Sequence, residues 1–325
     1  MLINIADVWK SARTAHNRYL EQVIDEGIRS LHSSPIQRRA TQFLKSLRTQ
    51  LTSRRPDSLQ SAINSHEKLK RKMSRHELSE LNALLGRIFD YKLFITKRKQ
   101  RWSAYKLCKS LAYRICPYCH HAYMLVTEEK ERGIRPDLDH YYPQGRYPYL
   151  ALALNNLIPS CSTCNSRLKG GTDMASKPFL NPLLDPESLH FRCERPGSSI
   201  VDIISDFENI KEELRIRIVH DPACEKSTNS LLLFQLRERY DQFSREGADF
   251  VGAKTSIDNL DELFRAQAQG PIQQNSAFFM PPNKEKEIRQ LRFNRSHYKH
   301  YVHGKMFADL YDQFDRSSLL DKPYQ

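Results

Sequence analysis

The chain has 325 residues, 39% hydrophobic and 27% charged, with 51 Lys and Arg against 38 Asp and Glu for a formal net charge of +13. These proportions allow ordinary globular cores and exclude a fibrous or disordered chain, and no run reaches the ~18 consecutive apolar residues of a membrane span. The charge is polarised: residues 1–115 hold 24 basic and 9 acidic side chains, a balance of +15, and the remaining 210 residues sum to −2. Such asymmetry suits a nucleic-acid footprint, because each neutralised phosphate releases counterions; a docking face for an acidic protein is the other reading. The first residues have charges at Asp7, Lys10 and Arg13 without an apolar run, so secretion is not expected. Seven cysteines, four of them in two close pairs, fit thiolate–metal chemistry in a reducing cytoplasm better than a disulfide framework.

Residues 1–113 read as a basic helical domain. Apolar side chains recur at helical spacing in Phe43, Leu44, Leu47 and Leu51, and again in Leu78, Leu81, Leu84, Leu85 and Ile88. Ser33-Ser34-Pro35 has the form of an N-cap followed by proline at the first helical position. Residues 91–114 are dense in cations, among them Lys97, Arg98, Lys99 and Arg101, interleaved with Trp102 and Tyr105. The cations are candidate nucleic-acid contacts. The aromatics either stack on bases or pack inward with Phe94 and Leu107.

Residues 114–185 hold the motifs. Cys116-Pro117-Tyr118-Cys119 and Cys161-Ser162-Thr163-Cys164 are two CxxC knuckles separated by 41 residues. That spacing puts each thiolate pair on one turn, able to share a tetrahedral zinc at about 2.3 Å. The first knuckle is expected to head a short hairpin whose second strand covers residues 123–127. Between the knuckles lie Asp139-His140 and Asn156, and directly after the second stands Asn165. Residues 164–169 should begin a helix that Gly170 and Gly171 end or interrupt. His120 and His121 are conceivable substitutes for a thiolate ligand.

Residues 186–325 read as a mixed α/β region. Strands are expected at 189–194 and 199–204 around the turn Arg195-Pro196-Gly197-Ser198, and the alternation of residues 213–220 gives a third. A helical period resumes over 231–243, residues 270–283 form a polar linker, and one last helix spans 284–314. His297, His300 and His303 recur there at intervals of three, as a metal-binding face or simply a histidine-rich surface. Cys108, Cys193 and Cys224 are expected to be buried small apolar residues. The fold class is therefore α+β: a basic helical N-terminal domain, a central zinc-braced module, and a C-terminal α/β region.

Phosphodiester hydrolysis needs a base to deprotonate water and a cation to stabilise charge on the phosphate and the departing oxygen. His140 suits the first task near neutral pH, and Asp139 with Asn165 offers oxygens for Mg²⁺ or Mn²⁺. Adjacent strand residues face opposite ways, so Asp139 and His140 need a bend, or a site lying between them, to act together. The run Leu138-Asp139-His140-Tyr141-Tyr142-Pro143, then Tyr147-Pro148, then Asn156-Leu157-Ile158-Pro159-Ser160-Cys161-Ser162-Thr163-Cys164-Asn165 with Lys169, resembles the HNH endonuclease superfamily. It looks like the version whose ββα-metal finger is braced by a four-cysteine zinc, and is most similar to HNH proteins of bacterial antiphage defence such as the nuclease component of Septu systems.

The resemblance implies that Asp139 binds the metal, His140 is the general base, and Asn156 braces the loop and orients the base. Asn165 stands where many members have histidine, which makes the metal site oxygen-rich and favours Mg²⁺ or Mn²⁺. Lys169 and Arg167 could meet a phosphate, and an ATPase or sensor subunit is an implied partner. Asn155 is expected to be a neighbour without catalytic importance. Three functions remain open: DNA endonuclease, ribonuclease acting on structured RNA such as tRNA, and zinc-stabilised binding module without catalysis. No P-loop motif is present.

Overall fold

The computed structural model describes residues 2–32, 34–96, 102–127, 133–174, 176–268 and 284–315. The expected nucleic-acid contacts Lys97, Arg98, Lys99 and Arg101 lie outside the described residues, as does the whole of the expected linker at 270–283. The chain divides into two units, one formed chiefly by residues 3–118 and 122–186, the other chiefly by 119–121 and 187–325. No helix among the described residues is long and apolar enough to cross a membrane.

The first unit begins with helices α1 (Arg13–Arg29), α2 (Pro35–Thr52), α3 (Ser58–Lys70), α4 (Arg75–Ile88), α5 (Tyr91–Thr96) and α6 (Ala104–Lys109). Ser34 caps α2 by accepting from the Gln37 amide, with Pro35 in the first turn. A reciprocal Ser74/Glu77 box caps α4. The apolar period puts Phe43, Leu44, Leu47 and Leu51 of α2 and Leu81 and Leu85 of α4 into the core. Phe94, Tyr105 and Leu107 are buried too, so those aromatics are packing residues and present no stacking surface.

Strands β1 (Asp137–His140) and β2 (Leu157–Ser160) pair antiparallel, with Asp139 opposite Ile158 and His140 opposite Leu157. One wide π-helical turn, Thr163–Lys169, follows and ends at Gly170, whose φ of +50° most side chains avoid. The long β1–β2 connection contains short 3₁₀ turns at Pro148–Leu150 and Leu154–Asn156. The N-terminal region fastens it: the indole of Trp9, just before α1, donates to the Leu157 carbonyl at 2.9 Å, and the Asn155 side chain is held between Arg13 and the Ser53 carbonyl. The hairpin expected after the first knuckle is reduced to a bridge between Ile115 and Tyr123.

In the second unit β3 (His190–Glu194) pairs with β4 (Arg215–Val219) and buries Phe191, Cys193, Ile216 and Ile218 on one face. The expected strand at 199–204 is instead helix α7 (Ile200–Ser205), because Ser199 and Asp202 form a reciprocal capping box that favours the helical start over β-branched preference. Helices α8 (Phe207–Ile210), α9 (Glu225–Leu233), α10 (Leu236–Asp241) and α11 (Ser244–Ala268) follow, with α9 and α10 parted at Gln235. The expected single helix over 284–314 is broken into α12 (Lys284–Leu291), a 3₁₀ segment Arg295–His300 and α13 (Gly304–Gln313), with left-handed backbone at Arg292 and His303. That break prevents His297, His300 and His303 from sharing a helix face. Asp309 and Gln313 of α13 accept from the amides of Phe191 and Cys193, satisfying the outer edge of β3 in place of a third strand.

One buried histidine makes the first unit sensitive to acid. Trp102 donates its indole N–H to His16 Nδ1 at 3.1 Å, and the opposite nitrogen lies 2.8 Å from the Leu152 carbonyl. Nδ1 therefore has no hydrogen and Nε2–H donates. Burial pushes the imidazole down to about 4 from 6.5, against a smaller upward effect of the Leu152 carbonyl. Between those values the unfolded chain binds a proton that the folded chain refuses, so stability is complete above pH 6.5 and falls as pH drops toward 4. His16→Gln should reduce this loss by about 3 kcal/mol relative to wild type, read from denaturant midpoints across that range.

Candidate active site

The sulfurs of Cys116, Cys119, Cys161 and Cys164 all lie within 4.8 Å of one another. Four bonds of about 2.3 Å around a tetrahedral zinc require sulfur–sulfur edges of roughly 3.8 Å, so small side-chain adjustments satisfy the ion. Cys116, Cys119 and Cys164 are fully buried, none of the four is in a disulfide, and Cys161 Sγ accepts the Cys164 amide at 3.5 Å. This donor set fits a structural zinc. His120 and His121 are not in the cluster; the His120 ring instead accepts the Lys305 amide, and His121 meets Arg239. Cys108 and Cys193 are buried apart from it, and burial pushes both thiols up to about 12.

A cavity of about 330 Å³ opens along β1 and the start of the π-helical turn, lined by Asp137, Asp139, His140, Asn165 and Lys169 among others. His140 Nε2 is 2.9 Å from the Ala151 carbonyl. A carbonyl only accepts, so Nε2 carries the hydrogen and Nδ1 keeps its lone pair. Tyr91 sets the ring edge-on at 4.6 Å and donates its hydroxyl to the Leu138 carbonyl. Burial lowers the His140 imidazole below its ordinary value, with Ala151 and Asp139 opposing that effect and Lys169 adding to it.

Asn156 is fully buried. Its side-chain oxygen accepts the Tyr142 amide at 2.7 Å, and its amide donates to the Tyr142 and Leu150 carbonyls, both at 3.1 Å. It clasps both ends of the segment that presents the Ala151 carbonyl to His140. Asn155, its neighbour, serves only the helix contacts described above.

Asp139 is 2% exposed. One oxygen pairs with Lys169 at 2.8 Å and the other accepts the Tyr118 hydroxyl at 2.6 Å. Lys169, itself buried, also donates to the His140 carbonyl at 3.1 Å. Its ammonium is thus a brace between the π-helical turn and β1. Asn165 donates its amide to Asp137 Oδ2 at 3.0 Å, which leaves its own side-chain oxygen available at the cavity. Arg167 is exposed and does not line the cavity.

Asp137, Tyr91 and Arg135 line the cavity and Tyr118 bonds Asp139, although none of the four is a site candidate from the sequence. Asp137 had a signal, since it stands two residues before Asp139 and a strand's period of two puts both on one face. Tyr118 lies inside the first CxxC, where only the sulfurs attract notice. Asp137, Asp139 and Asn165 all line the cavity, with both Asp139 oxygens engaged by Lys169 and Tyr118.

No family model matches the chain, and no solved structure matches it. Septu protein PtuB from Bacillus thuringiensis is 29% identical to it over 97 residues, which cover 27% of this chain and 35% of that protein. The similarity therefore spans about a third of the relative.

Two outcomes follow from the geometry. The purified chain should contain one zinc, and Cys116→Ser or Cys164→Ser should lose the metal together with cooperative unfolding of the first unit, measured by metal analysis and circular dichroism. Asn156→Ala removes the side-chain partner of the half-buried Tyr142 amide and carbonyl, while the Leu150 carbonyl keeps the Ala153 amide, and should lower unfolding free energy by roughly 2 kcal/mol with zinc content unchanged.

Proposed function

We propose that this chain is a metal-dependent endonuclease of the HNH type, hydrolysing phosphodiester bonds in DNA as part of a bacterial antiphage defence system. The observation that carries the reading is a single cavity lined by a tautomer-fixed imidazole, two strand carboxylates and an asparagine. His140 Nδ1 takes the proton of an attacking water while Nε2–H stays on the Ala151 carbonyl. The imidazole's lowered proton affinity keeps it in its basic form near neutral pH. Asn156 keeps that carbonyl in place, so it orients the base without touching the substrate.

Asp137, Asp139 and Asn165 would hold Mg²⁺ or Mn²⁺, with Lys169 moving on Asp139 to share the carboxylate. When bound, the ion supplies charge stabilisation at the scissile phosphate and the departing oxygen. The excess of +15 over residues 1–115 favours a polyanionic substrate. The similarity to a Septu protein supports the defence setting, and with it the expectation of an ATPase or sensor partner that restrains the nuclease.

The test is incubation of the purified chain with supercoiled plasmid, single-stranded DNA and total RNA in Mg²⁺ or Mn²⁺. Wild type should nick or cut DNA, and His140→Ala should be at least ~100-fold slower with its zinc retained. Cleavage of RNA alone would exchange the substrate, and cleavage of neither polymer would leave a zinc-stabilised binding module.

A further inference from the structure

Arg135 stands immediately before β1 and lines the same cavity as His140, Asp137 and Asp139. Two carboxylates in the same wall would ordinarily capture a guanidinium, yet Arg135 makes no ion pair with a described residue. The carboxylates are already engaged. Asp139 is shared between Lys169 and Tyr118, and Asp137 Oδ2 accepts from Asn165 at 3.0 Å and Ser166 at 3.4 Å.

The guanidinium is nonetheless held in place. Its Nη1 donates to the Pro136 carbonyl at 2.7 Å, and its carbon lies 5.8 Å from the centre of the Tyr105 ring. Tyr105 is itself buried and donates its hydroxyl to the Gly133 carbonyl at 3.0 Å, fixing the backbone that leads into Arg135. A guanidinium has five N–H donors in a rigid fork. The Pro136 carbonyl uses one side of it, and the rest remain for an anion.

We propose that Arg135 is the phosphate anchor of this site, its fork binding the non-bridging oxygens of a DNA phosphodiester beside His140. The assignment rests on the nuclease reading above and deepens it. A planar fork matches the paired oxygens of a phosphodiester, whereas a lysine meets them only as a point charge. Lys169 is spent inside the protein, so the incoming phosphate needs a second cation, and Arg135 provides it on the cavity wall.

The experiment measures binding of a fluorescent DNA duplex across a salt series in the His140→Ala background, with cleavage rates in the otherwise wild-type chain. Arg135→Gln should weaken binding roughly ten- to hundredfold and flatten the slope of log affinity against log salt by about 0.9, the value of one lost phosphate contact. Arg135→Lys should keep the slope but cut DNA several-fold more slowly, because charge is retained and the fork is lost. Unchanged affinity, slope and cleavage in both variants, while wild type still cuts DNA, would overturn the anchor and leave Arg135 as a clip on Tyr105. Should Arg135→Gln lose its zinc or its cooperative unfolding, the lysine variant decides: wild-type cleavage rates in it refute the proposal. A wild-type chain that neither binds nor cuts DNA refutes the nuclease reading itself, and the anchor with it.

Discussion

Convergence of four thiol sulfurs on one point is the constraint from which the site's geometry follows. Two strands of four residues each are too short to hold their register in water without support. Here the Cys116–Cys119 knuckle, well upstream of β1, and the knuckle directly after β2 both join the sulfur cluster. The π-helical turn then leaves the second knuckle in a fixed direction, and its wide winding carries Asn165 to Asp137 and Lys169 to Asp139. The segment before α1 acts through Trp9, α1 through Arg13 and His16, and α5 through Tyr91, each bonded to the β1–β2 region. The clamp sets where the strands are, and the helices set where the long connection between them runs.

Within that frame the imidazole is oriented by backbone. The Ala151 carbonyl fixes the His140 tautomer, and the carbonyl is in turn placed by Asn156, whose three bonds close the segment between Tyr142 and Leu150. A ring oriented by a carboxylate would gain basicity from charge. A ring oriented by a neutral carbonyl in a buried setting stays in its unprotonated form more readily, at the cost of a weaker pull on the proton. As the base of the proposed reaction, such a ring would be ready rather than strong.

Much of this was legible in the residues. The two CxxC pairs identify the clamp because thiolates at that spacing have few other joint uses, and the apolar periods of α2 and α4 name their own buried faces. Asn156 and Asn155 could be told apart only by motif position, and the hydrogen bonds separate a loop brace from a helix contact. Residues 199–204 misled because Ile200, Val201, Ile203 and Ile204 look like a strand, while one serine–aspartate cap decided the matter. The breaks at Arg292 and His303 have no sequence signal, since left-handed backbone at those positions answers to packing. Lys169 reads in the sequence as a cation able to meet a phosphate, and its burial on Asp139 appears only when the π-helical turn is built.

The buried Lys169–Asp139 pair also explains how two carboxylates can share a face of β1. An isolated buried carboxylate is strongly disfavoured, and two on one face repel each other as well. Lys169 offsets the first, and Arg135 on the same wall offsets the second at longer range. With His140 neutral, the two carboxylates and two cations give these wall residues a formal charge near zero. A divalent ion held there, as proposed above, would gain little from bulk charge, so its hold would depend on the oxygens of Asp137, Asp139 and Asn165 and on oxygens brought by the substrate. On the nuclease reading proposed above, such a centre would bind its cation best when a phosphate is already present, which would couple metal occupancy to substrate.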